Sequence, residues 1–296
     1  MNVSDLGEDP LIQRITAGLP QQANVIVGPG DDCAVIERNH THDSLLKTDC
    51  IVEHVHFLPD TEAERIGWKA VARVVSDFAA MGGLPESLLV TLVIPPETET
   101  SWVESLYSGM QCCAEFYGFS IVGGETSSTT SSSPAMISIA GTGLVEKGQA
   151  ILRSTAQDGD QIFVTGKLGG SIQGKHLDFH PRIEQARWLA EHFRPSAMMD
   201  LSDGVAKDLP RLAQASKLGF QLDTAKLPCS DGSTTENALS DGEDFELLFT
   251  LSAEHAEHLA TIWHQHYPDI PLTCVGYMTR DESQELHGGW DHFKPA

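Results

Sequence analysis

The 296-residue chain sets 19 Lys and Arg against 42 Asp and Glu, a formal charge of −23. Such a balance argues against nonspecific attraction to nucleic acid or to an anionic membrane, while 41% hydrophobic residues over this length favour two cored domains. An anionic ligand would need help to approach, such as a divalent cation held by carboxylates.

The first residues, MNVSDLGEDP, lack the basic and apolar parts of a signal peptide, and no apolar run reaches the roughly 18 residues of a membrane span. A cytoplasmic, non-membrane protein is expected. The six cysteines show no CxxC spacing and read as reduced, mostly buried thiols. The paired histidines near the C-terminus, His255 and His258 or His264 and His266, read as a solvated helix face.

In chain order, ANVIVG, DCAVIE and SLLKTDCIVEHVHF read as strands bounded by turn residues. Apolar positions 66, 70, 71, 74, 75 and 78 then predict a helix over 62–81 that stops at Gly82-Gly83. LLVTLVIPP is a buried strand ended by prolines. Ser101 and Glu104 stand at capping-box spacing, so a helix is predicted from there to Gly118. FSIVGG and AMISIAGTGLVE are strands around TSSTTSSSP, read as a flexible small-residue loop. With DQIFVTG a new unit begins, which places a domain boundary near residue 148 and divides the chain into 1–148 and 149–296. Beyond it strands and helices alternate.

GGSIQGKH, 169–176, approaches a phosphate-binding P-loop, but His176 stands where Ser or Thr is required, so the segment reads as a Gly-rich connection. No GxGxxG turn is present. Acidic residues at element ends say more: Asp31-Asp32 behind a Gly-Pro-Gly turn, Asp49 after Thr48, Asp77 in VVSDFAAMG, Glu125 in VGGET, Asp200 and Asp203 in MDLSDG, and Asp241 to Asp244 in SDGED. A single Asp at such a place ordinarily caps or turns the chain. Asp77 lies at the margin of its helix's apolar arc, with Arg73 one turn earlier as the expected ion-pair partner. Adjacent carboxylates repel unless a cation sits between them, so the clustered acids suggest metal ligands beside a phosphate.

Taken in order, LGEDPLIQRI, GPGDDCAVI, KTDCIVEHVHF, WKAVARVVSDFAAMG, VGGET, LRSTAQDGDQIFVTGKLGGS, MDLSDGVAKDL and DGEDFELLFT, followed by WDHF, resemble the thiamine-monophosphate kinase family nearly end to end. The resemblance implies an α+β fold of two domains: an N-terminal mixed sheet with flanking helices, through which two copies dimerise, and a C-terminal α/β sandwich. This is the architecture of the wider aminoimidazole ribonucleotide synthetase group. It implies transfer of the γ-phosphoryl of ATP to thiamine monophosphate, with several Mg²⁺ ions and no covalent intermediate. By the family pattern Asp32, Thr48, Asp49, Asp77, Glu125, Asp200 and Asp203 bind metal, while Tyr107, Gly124, Glu125, Arg153 and Ser202 contact ATP. His56, Glu243, Asp244 and Trp290 would contact the acceptor.

Three positions depart from the family pattern. Lys47 precedes Thr48-Asp49 where the family often has Ser or Thr, and strand alternation sets Lys47 and Asp49 on one face. Its carbonyl could serve the site, or its ammonium could meet a phosphate, and both readings stand. Glu125 replaces the more usual Asp of GGD, and Asp241 replaces a Gly before GED. The alternatives are another ATP-dependent synthetase on the same scaffold and a noncatalytic nucleotide-binding relative.

Overall fold

The computed structural model describes residues 2–281 and 283–293. Helices α1 (Val3–Leu6) and α2 (Glu8–Thr16) precede strands β1 (Val25–Val27), β2 (Ala34–Glu37) and β3 (His42–Val52). Next come α3 (Ala63–Ala80), β4 (Leu84–Ile94), α4 (Thr100–Tyr117), β5 (Ser120–Ser128) and β6 (Met136–Glu146). These six strands form one sheet in the order β1-β2-β3-β6-β4-β5. It is mixed: β4 and β5 run parallel because α4 carries the chain back between them, and the other neighbours are antiparallel.

Period-2 alternation gives this sheet two unlike faces. On β3, Leu45 and Ile51 are buried on the side that also carries Lys47 and Asp49, whereas Leu46 and Thr48 on the other side are exposed. The apolar arc of α3, from Ile66 through Val71 and Val75 to Phe78, packs on the inner side. Contact between α3 and α4 is close because Gly67 and Gly109 carry no side chain: a Cβ on Gly67 would stand 1.9 Å from the Leu106 carbonyl oxygen, and one on Gly109 1.8 Å from that of Glu64. Gly82, in the left-handed region at φ 70, ends α3 as its sequence predicts.

Two local expectations change. The N-cap of α4 is Glu99, without a side-chain cap, and Ser101 lies inside the helix with its hydroxyl donating to Glu99 Oε2 at 3.3 Å, so the capping box is not formed. Part of the Ser/Thr run is strand rather than loop, since β5 stays in parallel register with β4 as far as the pair Ile94 and Ser128.

The second half contributes β7 (Gln161–Thr165), α5 (Lys175–Asp178), α6 (Ile183–His192), β8 (Ala197–Asp200), α7 (Val205–Ala215) and β9 (Gly219–Leu222). α8 (Thr235–Ser240), β10 (Leu247–Leu251), α9 (Ala253–His266) and β11 (Leu272–Thr279) complete it. Its strands pair antiparallel throughout, in the order β8-β10-β7-β11-β9. Alternation again sorts the side chains: Phe163, Met198 and Phe249 join the core shared with the first sheet, while Ile162, Val164 and Leu248 pack with Leu209 and Leu212 of α7. α3 touches β3 and β6 of the first sheet and α6 and β8 of the second half. Polar groups on α3 are therefore brought against acidic residues from both halves.

Candidate active site

Three carboxylates meet where the halves join. Asp32 follows the Gly28-Pro29-Gly30 turn, Asp77 lies in the last turn of α3, and Asp200 ends β8, yet one oxygen of each lies within 4.8 Å of the others. All three are buried. Burial pushes Asp77 well above the ordinary carboxyl range against the pull of Lys47, with Asp200, Asp49 and Asp32 adding to the rise. Asp200 is pushed up to about 6 by burial and then by Asp32, although the Ser76 hydroxyl donates to its Oδ2 at 2.6 Å. Lys47 Nζ donates to Asp77 Oδ1 at 2.7 Å, and the Arg153 guanidinium holds both oxygens of Asp32, Nε standing 3.2 Å from Oδ2. A cluster of hard oxygens still costly to ionise fits a divalent cation such as Mg²⁺.

Asp49 stands beside this cluster but is otherwise engaged. Arg73 donates to both its oxygens, at 2.7 Å from Nε and 3.2 Å from a terminal nitrogen, and the Cys50 amide donates to Oδ1 at 2.8 Å. Asp31, Asp49, Asp77, Asp200 and Arg153 line a cavity of about 440 Å³ together with Glu8, Asp9 and Arg211.

A second cavity, about 290 Å³, opens beside the first and is lined by His56, Glu243, Trp290, Asp241, Val55 and Ile172. Arg73, Ser202, Asp203 and His292 are walls of both cavities. At its base Lys69, fully buried, donates to the His56 carbonyl at 2.5 Å and to Glu243 Oε2 at 2.8 Å, and meets His176 Nδ1 at 2.7 Å. Burial raises the Glu243 carboxyl, but His176, Lys69 and Arg73 outweigh it and hold the group well below its usual range. The His56 ring accepts from the Val52 amide at 3.1 Å, and burial followed by Arg73 pushes it down to about 4, so it is neutral at physiological pH.

Residues 30–145 match the N-terminal domain of AIR synthase related proteins and residues 130–288 the C-terminal domain of the same group. Thiamine-monophosphate kinase of Rhodopirellula baltica is 39% identical over 88% of this chain and 85% of its own length. The enzyme of that name from Bacillus subtilis is 32% identical over 98% of this chain and its full length. The chain belongs to the thiamine-monophosphate kinase family. A solved member, AaThiL complexed with AMPPCP and TMP, superposes with a TM-score of 0.85 at 32% identity, covering 99% of each chain. A HypE–HypF complex structure, at 19% identity and TM-score 0.71 over 92% of this chain and 93% of its own, shares the fold.

Against the thiamine-monophosphate kinase pattern, the structure brings some expected site residues together and sets others apart. Asp32, Asp77 and Asp200 converge, and His56, Glu243 and Trp290 face one pocket. Ser202 lies on the wall between the cavities, its amide donating to Asp208 at 3.0 Å. Asp203 is on that wall too but outside the cluster, because Arg211 at 2.6 Å and Lys207 at 3.4 Å hold its carboxylate. Asp244 lies away from the pocket and accepts from the Gly169 amide, with its two oxygens at 3.1 and 3.0 Å, thereby stapling the Gly-rich connection after β7. Thr48 and Glu125 are on the outer face of the first sheet, Glu125 in register with Thr91. Gly124 faces inward, where a Cβ would stand 1.8 Å from the Val90 oxygen, so β5 needs a glycine there for its approach to β4. Tyr107 is exposed on α4. Thr48, Glu125, Gly124 and Tyr107 line neither cavity.

Reading the residues alone missed Lys69, His176 and the role of Arg73. Arg73 pairs with Asp49 and Glu243 rather than with Asp77, whose partner is Lys47. A signal was present: Lys69 and Arg73 sit one turn apart within an apolar helix, where a cation is tolerated only if paired.

Proposed function

We propose that the protein transfers the γ-phosphoryl group of ATP to the phosphate of thiamine monophosphate, giving thiamine diphosphate and ADP. The observation that carries this reading is the common wall of the two cavities, formed by Arg73, Ser202, Asp203 and His292: a nucleotide in the acidic cleft and an acceptor in the aromatic-rimmed pocket can bring their phosphates together. Membership of the family supports the choice of substrates.

Asp32, Asp77 and Asp200 would hold Mg²⁺, while Asp49 and Asp203 line the same cavity as ion-pair partners of Arg73 and of Lys207 and Arg211. Bound there, the cations neutralise charge between two anions, which a loose phosphoryl transition state needs more than a strong base. Arg153 and Ser202 line the nucleotide side, while His56, neutral, offers an uncharged edge to the acceptor, with Trp290 closing the pocket.

Two copies would pair through the outer face of the first sheet, where Leu46, Leu89 and Val122 are exposed beside Thr48 and Glu125. We divide the chain functionally near residue 148 and place the enzyme in the cytoplasm, a reducing compartment suited to its free cysteines. Among the described residues no helix is long and apolar enough to cross a membrane. Incubation with ATP, Mg²⁺ and thiamine monophosphate, followed by chromatographic separation of the thiamine esters, tests the reading: no thiamine diphosphate would refute it.

A further inference from the structure

Of the four residues that wall both cavities, Arg73 alone carries a fixed positive charge. Its side chain is held from two sides, by both oxygens of Asp49 and, from the other terminal nitrogen, by Glu243 Oε1 at 2.9 Å. The guanidinium lies over the Phe245 ring, 5.6 Å from its centroid. Lys69 binds the other oxygen of Glu243, so the carboxylate that orients Arg73 is itself fixed. A guanidinium has five N–H donors, and the three bonds to Asp49 and Glu243 leave one hydrogen on each terminal nitrogen. The group is thus placed in advance at the junction of the two cavities, with donors to spare.

We propose that Arg73 is a catalytic residue whose guanidinium binds the phosphoryl group in transit between nucleotide and acceptor. This rests on the kinase reading above. The bond from the γ phosphorus to the oxygen bridging it to the β phosphorus breaks, and its electron pair leaves on ADP. An oxygen of the acceptor phosphate forms the new bond to the γ phosphorus. Arg73 exchanges no proton and keeps its charge throughout, while the charge spread over the equatorial oxygens is met by its planar donors. The carboxylates of Asp49 and Glu243 hold the fork at a fixed angle, a placement that a flexible ammonium would not reproduce.

The test compares wild type with Arg73→Met and Arg73→Lys, each checked for folding by thermal unfolding. The wild type must first convert thiamine monophosphate to thiamine diphosphate. In Arg73→Met, kcat should fall about 10³-fold, the lower end for a transition-state arginine, while KM for ATP stays within about threefold. Millimolar guanidinium ion should restore part of the lost kcat, and ammonium ion should not. Arg73→Lys keeps the charge and covers the case in which the Met variant fails to fold; its kcat should still fall at least about tenfold because the fork is lost. A folded Met or Lys variant with near-normal kcat overturns the proposal, as does a loss that guanidinium leaves unrelieved and that weakened ATP binding accounts for. A wild type that makes no thiamine diphosphate sinks the functional reading and this inference with it, whereas an active wild type with an indifferent variant sinks the inference alone.

Discussion

Lys47 Nζ stands 2.7 Å from Asp77 Oδ1, so a cation belonging to the chain already rests on one of the three carboxylates that converge between its halves. The ammonium comes from β3 and the carboxylate from α3, and both are largely buried. Replacing Lys47 with Met leaves Asp77 uncompensated beside Asp32 and Asp200. Breaking such a pair should cost about 3 kcal/mol or more. Mg²⁺ should recover more stability in Lys47→Met than in wild type, because it takes over the missing charge. Urea unfolding of both proteins with and without Mg²⁺ measures this, and an identical metal response would mean the cation binds elsewhere.

Asp32→Asn and Asp200→Asn each remove one oxygen charge from the convergent group while keeping side-chain size. At saturating Mg²⁺ each should lower kcat by about 10² or more, as for loss of a principal electrostatic contact. Asp244→Asn should behave differently, because that residue staples the Gly169 connection and lies off both cavities. Its effect belongs in the unfolding midpoint more than in kcat. Steady-state kinetics on folded variants separates the cases, and an Asp200→Asn enzyme with near-normal turnover would remove that residue from the site.

How far the sequence reaches can be seen on α3 and β3. Periodicity marks α3 to within a residue at either end, and alternation on β3 sets Lys47 and Asp49 on one face, as the structure has them. Partner choice lies beyond such patterns. Arg73 and Asp77 are one turn apart, the spacing of a helical ion pair, but the first sheet brings Lys47 to Asp77 and the segment before β10 brings Glu243 to Arg73, 170 residues away. The divergence of Asp200 and Asp203 was equally hidden. The former ends a buried strand, and the latter sits in the following loop, where Asp208 binds its amide and Arg211 its carboxylate. The strand order, with β6 inserted between β3 and β4, also depends on contacts remote in the chain.

His56 gives a pH signature whose sign is fixed by its environment. Its ring is pushed down to about 4 from an ordinary 6.5, by burial and then by the charge of Arg73. Between those values the unfolded chain binds a proton there and the folded protein does not. The stability this neutral ring contributes is therefore full above about pH 6.5 and is lost as pH falls toward 4. The loss amounts to about 3 kcal/mol at most. In His56→Gln the fall in unfolding free energy from about pH 7 to about pH 4.5 should be smaller than in wild type by about 2 kcal/mol. Parallel losses in the two proteins would show that the ring is already charged in the folded state.

The outer face of the first sheet supplies the last test. Leu46 and Leu89 are 41% and 48% exposed on strands paired on both sides, so their exposure follows from the position of this face and not from a frayed edge, while Val122, 60% exposed, stands at the bulge of the edge strand β5. Fully burying a side chain of this kind is worth about 1.5–3 kcal/mol, so covering the half of each that is still exposed contributes about 1 kcal/mol per residue to holding two copies. Leu89→Glu puts a carboxylate into that contact without touching the core, because the inner face of β4 is carried by Leu88, Val90 and Leu92. Light scattering should then report a dimer for wild type and a shift toward monomer for the variant, with an unchanged unfolding midpoint at low protein concentration. A wild type that is monomeric at high concentration would leave this face open to water and rule out pairing through it.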